Sequence, residues 1–402
     1  MRAALRFFRD AYASLPASVW WLCAVAFVNR AGTMVVPFLT LWLTLERGFS
    51  IGEAGLLMGC FGLGSMFGAW VGGRATDRIG PWPVQVASLL GSGILFVVLG
   101  ELRTATAIAG ALFVLGLVAD AFRPANYAML AANCPPALRG KAFALARLAV
   151  NLGWSIGPAI GGVLAQRAYA LLFWIDGATS VLAALLLIAL RSRLATQAEP
   201  DAAAEGAGLG PWRDRAFIVV LASTFAVAMV FMQFFFTAPL HYERHYGLDE
   251  AAIGLLSASN SLIIVAVEMA LVHALRYRHP LPVVALGALL IAIGFGMTPL
   301  GTTFWFGAVA VAVWTLGEML ESPLLMAWVS SRAGAGDRGR YMALLTIVHS
   351  LAFLLAPIAG TWAFDRLGPA WLWFGCLGVG CMAAFGFAWA ARIDHRCASP
   401  PT

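Results

Sequence analysis

Apolar residues run along the chain in blocks of about 20 or more, the length a helix needs to cross a bilayer. Short polar stretches carrying Gly, Pro or Arg separate them. Twelve blocks predict twelve helices, at about 19–45, 51–72, 82–100, 105–131, 142–166, 170–190, 216–240, 250–274, 281–299, 303–329, 340–364 and 369–391. The one long polar interval, 191–215, is rich in Pro, Gly, Ala and charge and reads as a flexible linker. It divides the chain into 1–190 and 216–402, six helices each.

The two halves repeat one another. A shift of 199 positions lays Pro124 on Pro323, Arg139-Gly140-Lys141 on Arg338-Gly339-Arg340, Pro158 on Pro357 and Gly161 on Gly360. The same shift lays Gly55 on Gly254, Pro81 on Pro280 and Pro83 on Pro282. One offset held over so many positions marks a duplicated unit. Internal repeats with polar groups at matching depths are a signature of secondary transporters. The expected fold is an all-α membrane protein, two pseudo-symmetric six-helix bundles around a central cavity.

Composition agrees with the pattern. Charged residues make up 11% of the chain, against about 25% in soluble domains, and mean hydropathy is +0.83. The six cysteines, Cys23, Cys60, Cys134, Cys376, Cys381 and Cys397, show no metal or redox spacing. Net charge is +6, but its distribution follows the membrane rather than a nucleic-acid surface. With the N-terminus in the cytoplasm, 18 of the 26 Lys and Arg fall in cytoplasmic segments and five (Arg47, Arg103, Arg167, Arg244 and Arg366) in outer loops. That bias orients both termini to the cytoplasm, and an inner-membrane location is expected. Arg2, Arg6 and Arg9 precede an apolar run too long for a signal peptide. No phosphate-binding loop is visible, so transport would draw on an ion or solute gradient, or be passive.

Charges inside the spans point to function, because ionised groups at that depth cost several kcal/mol. They centre on Asp120-Ala-Phe-Arg123-Pro124-Ala-Asn126 and on Glu318-Met-Leu-Glu321-Ser-Pro323. Asp120 and Arg123, Arg123 and Asn126, and Glu318 and Glu321 are each three apart and share a helix face. Two acids on one face in low dielectric favour retention of a proton, which proton coupling requires.

Gly72-Gly73-Arg74-Ala-Thr-Asp77-Arg78-Ile-Gly80 resembles the signature loop between helices 2 and 3 of the major facilitator superfamily. The resemblance implies a gating role for Gly73, Asp77, Arg78 and Gly80, with Asp77 in a charge-relay contact. Pro81-Trp82-Pro83 replaces the family's usual basic pair, and the second-half loop Arg276-Tyr-Arg278-His279-Pro280 has lost the aspartate. Gly153-Trp-Ser-Ile-Gly157-Pro158-Ala-Ile-Gly161-Gly162 is similar to the family's antiporter motif, commoner in proton-driven exporters. Glycines four apart give a smooth packing face and Pro158 permits a bend. Gly317-Glu318-Met-Leu-Glu321-Ser322-Pro323 is similar to a helix-10 segment of proton-coupled oligopeptide transporters, and Arg123-Pro124-Ala-Asn126 and Asn151-Leu-Gly153 to their helices 4 and 5. That family's acidic-and-aromatic helix-1 motif is missing; Asn29-Arg30-Ala-Gly32 stands there.

The superfamily resemblance implies that helices 1, 4, 7 and 10 line the cavity. Asn29, Arg30, Arg123, Asn126, Gln233 and His349 are then substrate or cavity residues, Glu318, Glu321 and Asp120 proton-coupling residues, and Arg147 and Asn151 supports. Arg123 would switch between partners, pairing with a glutamate in one state. Bland readings stand beside these. Asp120 and Arg123 satisfy each other; Arg30 pairs structurally with an acid; His349 is a core histidine. Gln233 and Phe231, Phe234, Phe235 and Phe236 pack rather than line a cavity. Asp176 reads as interfacial, and Trp20, Trp21 and Trp42 as interfacial anchors.

The expected function is secondary active transport by alternating access, as proton-coupled efflux of small organic or amphipathic compounds. The alternatives are proton-coupled import of short peptides or other zwitterions, and a non-transporting membrane receptor or scaffold, or a membrane enzyme. The expected partners are a small-molecule substrate, protons and membrane lipids, with no nucleic acid, no cofactor and no metal, in a monomer.

Overall fold

The computed structural model describes residues 12–194, 210–275, 277–332 and 338–398. Arg2, Arg6, Arg9, Arg276 and most of the expected linker (195–209) lie outside the described residues, as do the side chains of Arg338 and Arg396. Among the described residues, twelve helices are long and apolar enough to span: α1 (Ala17–Glu46), α2 (Ile51–Ile79), α3 (Pro81–Glu101), α4 (Ala105–Ala132), α5 (Pro136–Ala165), α6 (Ala170–Ala189), α7 (Arg215–Phe236), α8 (Glu250–Leu275), α9 (Pro280–Leu300), α10 (Phe304–Arg332), α11 (Arg340–Arg366) and α12 (Pro369–Asp394). All twelve expected spans are there.

Two compact units divide the chain, Met1–Trp42 with Cys60–Pro200, and Leu43–Gly59 with Asp201–Thr402. In the first unit, glycines of α2 bring it against α4. A Cβ at Gly64, Gly68 or Gly72 would fall 2.0–2.5 Å from the Phe113 oxygen, the Leu117 oxygen or the Ala121 Cα. In the second unit, α9 and α10 meet backbone to backbone at Gly287 and Gly317, each facing the other's carbonyl oxygen. The segment 43–59 belongs there by its contacts, with Gly55 against Thr361 and Gly59 against Ile358 of α11.

The repeat holds at the level of single contacts. Gly93 of α3 packs on Val181 of α6; 199 positions on, Ala292 of α9 packs on Gly380 of α12. Gly161 of α5 packs on Met34 of α1, and Gly360 of α11 packs on Gln233 of α7 at the same offset.

Three helices depart from the sequence pattern. α1 is not continuous: an α-helix over Ala17–Ala31 stops, Gly32–Met34 are non-helical, and helix resumes over Val35–Leu41 before a π-turn at Trp42–Glu46. α4 is interrupted at Ala121. α7 is interrupted at Met232 and Thr237, and a further helix, Ala238–Tyr246, runs past the expected end at 240. Trp42 is no interfacial anchor. It is 1% exposed and packs on Phe173 with ring centres 4.8 Å apart, while Trp20 and Trp21 are exposed.

Candidate functional site

The first unit holds its polar groups around the break in α1. Gly32 passes so close to α6 that a Cβ would fall 1.8 Å from Thr179 Oγ1, so only glycine fits. Breaking the helix there exposes the first N–H groups of the second piece, which need acceptors. Asp176 of α6 supplies them. Its carboxylate accepts from Met34 N–H at 3.1 and 3.3 Å and from Val35 N–H at 2.9 Å. The Asp176 side chain is 2% exposed, which corrects the interfacial expectation. Proximity to a span's end suggested an interface; the tertiary packing turns the residue inward.

Arg30 and Asn29 lie just before the break. Asn29 Nδ2 donates to Ser180 Oγ of α6 at 3.4 Å. Arg30 is half-buried and makes no ion pair within 4 Å among the described residues, but it lies in the field of Arg123, Asp120, Tyr127 and Asp176. Asp120 is paired with Arg123 at 3.2 Å, and the Arg123 side chain is 63% exposed. A cavity of about 70 Å³ opens between these groups, lined by Asn29, Arg30, Asp120, Asp176, Ser92 and Ser180 among others. It is polar and roomy enough to hold water.

The antiporter-like glycines sit against this same place. A Cβ at Gly153 would fall 2.6 Å from Arg30 Cβ, at Gly157 2.6 Å from the Thr33 oxygen, and at Gly161 3.0 Å from Met34 Cβ. Pro158 and Gly162 are buried in the same helix. The glycine face therefore seats the broken part of α1 on α5. Gly157→Leu, which overpacks at a cost of about 1–3 kcal/mol, is expected to lower transport per membrane-inserted protein at least about tenfold. Gly140→Ala, in open space, should not. Flux normalised to protein amount checks both.

Asn126 faces α3 and accepts from Gln85 Nε2 at 3.3 Å, buried. Arg147 and Asn151 are half-buried on α5. In the signature loop, Gly80 takes φ 87° between α2 and α3, a left-handed turn suited to glycine. Gly73 has open space, Asp77 and Arg78 are exposed, and Arg74 stacks on Trp70 at 3.9 Å. Asp77 makes no ion pair within 4 Å among the described residues.

In the second unit, Glu318 and Glu321 are one turn apart on α10. Glu321 is 7% exposed. Glu318 accepts from Asn260 Nδ2 of α8 at 2.9 Å, and Asn260 also reaches Thr315 at 3.1 Å. Gln233 ties α7 to α11. It is buried, donates to the Ala356 oxygen at 3.1 Å and accepts from Thr237 Oγ1 at 2.9 Å. Phe231 and Phe234 pack on Trp314 of α10. His349 is exposed, its Nδ1 2.8 Å from the Leu345 oxygen.

Sequence reading missed one cluster entirely. Arg332, ending α10, forks onto Asp214, just before α7, through Nε at 2.5 Å and Nη2 at 2.8 Å. It also binds Asp394, at the end of α12. Asp214 caps α7 through Phe217 N–H at 3.1 Å and accepts from Tyr341 Oη of α11 at 3.1 Å. Trp328 Nε1 donates to Asp394 at 2.9 Å, and His279 lies 3.5 Å from it. Burial works against the Asp214 charge, but the Arg332 fork, the Phe217 N–H and the Tyr341 hydroxyl outweigh it and hold the carboxyl below the usual carboxylate range.

A twofold repeat of spanning helices, with ionisable groups held inside each unit, defines the architecture of a membrane transporter. The chain matches the Major Facilitator Superfamily model over residues 22–357, and it belongs to that family. It is thus an integral membrane transporter and not an enzyme. It is 26% identical to a protein of Planococcus maritimus named Na(+), Li(+), K(+)/H(+) antiporter, over 87% of this chain and 88% of the relative. It is 23% identical to Multidrug resistance protein 1 of Bacillus subtilis, over 91% and 94%. Among solved structures it is similar to a peptide transporter, POT, in complex with sulfate, with TM-score 0.81, 14% identity and coverage of 96% and 98%. At that identity the likeness is one of fold.

Proposed function

We propose that this transporter exchanges protons for small organic or amphipathic compounds and expels them across the bacterial inner membrane. It works by alternating access, as a monomer with both termini cytoplasmic and a linker joining two six-helix halves. The observation that carries the reading is the carboxyl pair on α10. Glu318 and Glu321 lie one turn apart on α10, Glu321 buried and Glu318 half-buried against Asn260, where neighbouring acids favour a retained proton. An amphipathic cation and a proton would compete for the same pair, which is the requirement for antiport. The glycine face of α5 and the names of two relatives, an antiporter and a multidrug resistance protein, point the same way. The first of those names favours a second reading, exchange of Na+, Li+ or K+ for protons.

Proteoliposomes with an acidic lumen and a pH-sensitive dye test both. Under the first reading, lipophilic cations added outside dissipate the gradient; under the second, alkali cations do. A gradient unmoved by every compound, with protein-free vesicles behaving the same way, would overturn proton antiport.

A further inference from the structure

The first unit carries an acid to which the α10 pair assigns no task, and it sits at a joint. Asp176 is the clasp between the two pieces of α1 and α6. Its three contacts all go to main-chain N–H groups at the break, from Met34 and Val35. Such bonds are roughly twice as strong when the acceptor is ionised, and negative charge at a helix start is favoured by the helix dipole. Proton binding would therefore weaken this one contact far more than it would an ordinary side-chain packing contact. The joint's other contacts, Gly32 N–H to the Val28 oxygen at 3.3 Å, Thr33 N–H to the Arg30 oxygen at 3.0 Å and the α5 glycines against Arg30, Thr33 and Met34, do not titrate. Gly32 lies against Thr179 with no side chain of its own, and Thr33 reaches back to the Asn29 oxygen at 3.4 Å.

We propose that Asp176 is a proton-binding site of the first unit, clasping α1 to α6 when ionised and releasing the Gly32–Met34 joint when protonated. The ionisable groups around it determine where Arg30 turns on release. From α1 comes Arg30 itself. From α4 come Asp120, with Arg123 paired to it, and Tyr127, all in the Arg30 field. α3 contributes Ser88 and Ser92, α2 contributes Phe61, and α5 presents glycines at Arg30 and Thr33. The two carboxylates and two guanidiniums balance. Neutralising Asp176 leaves Arg30 with Asp120 as its remaining acid, and a carboxylate already holding one guanidinium still has acceptor positions for a second. Arg30 makes no short ion pair among the described residues that must first break. The cavity beside both acids has room for the waters that carry the proton in. A metal ion would need several oxygen ligands and would place a further positive charge beside Arg30, so a proton is the occupant the site fits.

Proton coupling of transport gives this site its purpose, but the test reads the joint without transport. Amide hydrogen exchange is followed on the full-length protein in lipid nanodiscs at about pH 5 and pH 8, corrected for the intrinsic pH dependence of exchange. Peptides covering 31–36 are expected to exchange about tenfold faster at the lower pH. Asp176→Asn should exchange at the fast rate at both pH values, and Asp176→Glu should restore the pH dependence. Glu318→Gln should leave it unchanged. A wild-type joint equally protected at both pH values overturns the proposal, and so does an Asp176→Asn protein that keeps the pH dependence. If Asp176→Asn fails to fold, the wild-type series and Asp176→Glu, whose longer side chain shifts the transition, decide it. A joint that responds as expected in a protein that moves no protons across vesicles would retire the antiport reading and leave the proton site standing.

Discussion

Arg332→Ala is expected to destabilise the second unit by about 3–5 kcal/mol, the cost of leaving one partner of a buried ion pair alone. The Asp214 side chain is 4% exposed and takes two of the guanidinium's bonds. With Arg332 gone, only Phe217 N–H and the Tyr341 hydroxyl remain to it. Asp394 is less enclosed, at 18%, so Asp394→Ala should cost less. The effect has a pH signature. The folded Asp214 carboxyl lies below its unfolded value of about 3.9, so its contribution is present above that pH. It is lost as pH falls through the lowered folded value. Wild type should therefore lose stability on acidification below about pH 4 more steeply than Arg332→Ala. Melting temperature in detergent against pH, for both proteins, checks the size and the sign. Equal melting temperatures at pH 7 would show the cluster to be ornamental.

The largest effect on transport is expected at α10. Glutamine replaces glutamate with nearly the same shape, so Glu318→Gln can still meet Asn260 and Glu321→Gln still fills its site on the close α9 contact, where Gly287 faces the Glu321 backbone. Only the exchangeable proton and the charge disappear. Each single variant is expected to lose proton-driven flux on the order of tenfold or more, and the pair to lose it entirely, because coupling requires a titrating carboxyl. Folding and membrane insertion should be preserved, which separates this outcome from that of Arg332→Ala. Full pH-driven flux in both single variants and in the pair would remove these glutamates from the mechanism.

Much of the architecture could be read from the pattern of apolar blocks, because in a bilayer each block must become a helix that satisfies its own backbone. The duplication was equally legible, and the Gly161–Met34 and Gly360–Gln233 contacts show that it extends to packing. The features that escaped sequence reading depend on the third dimension. The break in α1 comes from the close pass of Gly32 by Thr179, a residue 147 positions away. Asp176 near a span's end has the same local sequence setting whether it meets lipid headgroups or a broken helix. Asp214, Arg332, Tyr341 and Asp394 each sit at a span's end, where a charge or a phenol reads as solvent-facing. Only the folding of α7, α10, α11 and α12 into one unit brings them together. Gln233 was singled out by the sequence, and the repeat gives it the place of Met34, packed on Gly360 as Met34 is on Gly161.

If substrate and proton compete for the α10 carboxyls, a lipophilic cation added to purified, detergent-solubilised protein in weakly buffered solution displaces protons that a pH electrode records. Proton release is expected to saturate with substrate, to approach about one per protein, and to vanish in the Glu318→Gln, Glu321→Gln double variant. Saturable substrate binding with no proton release from wild type, or with undiminished release from the double variant, would contradict that competition.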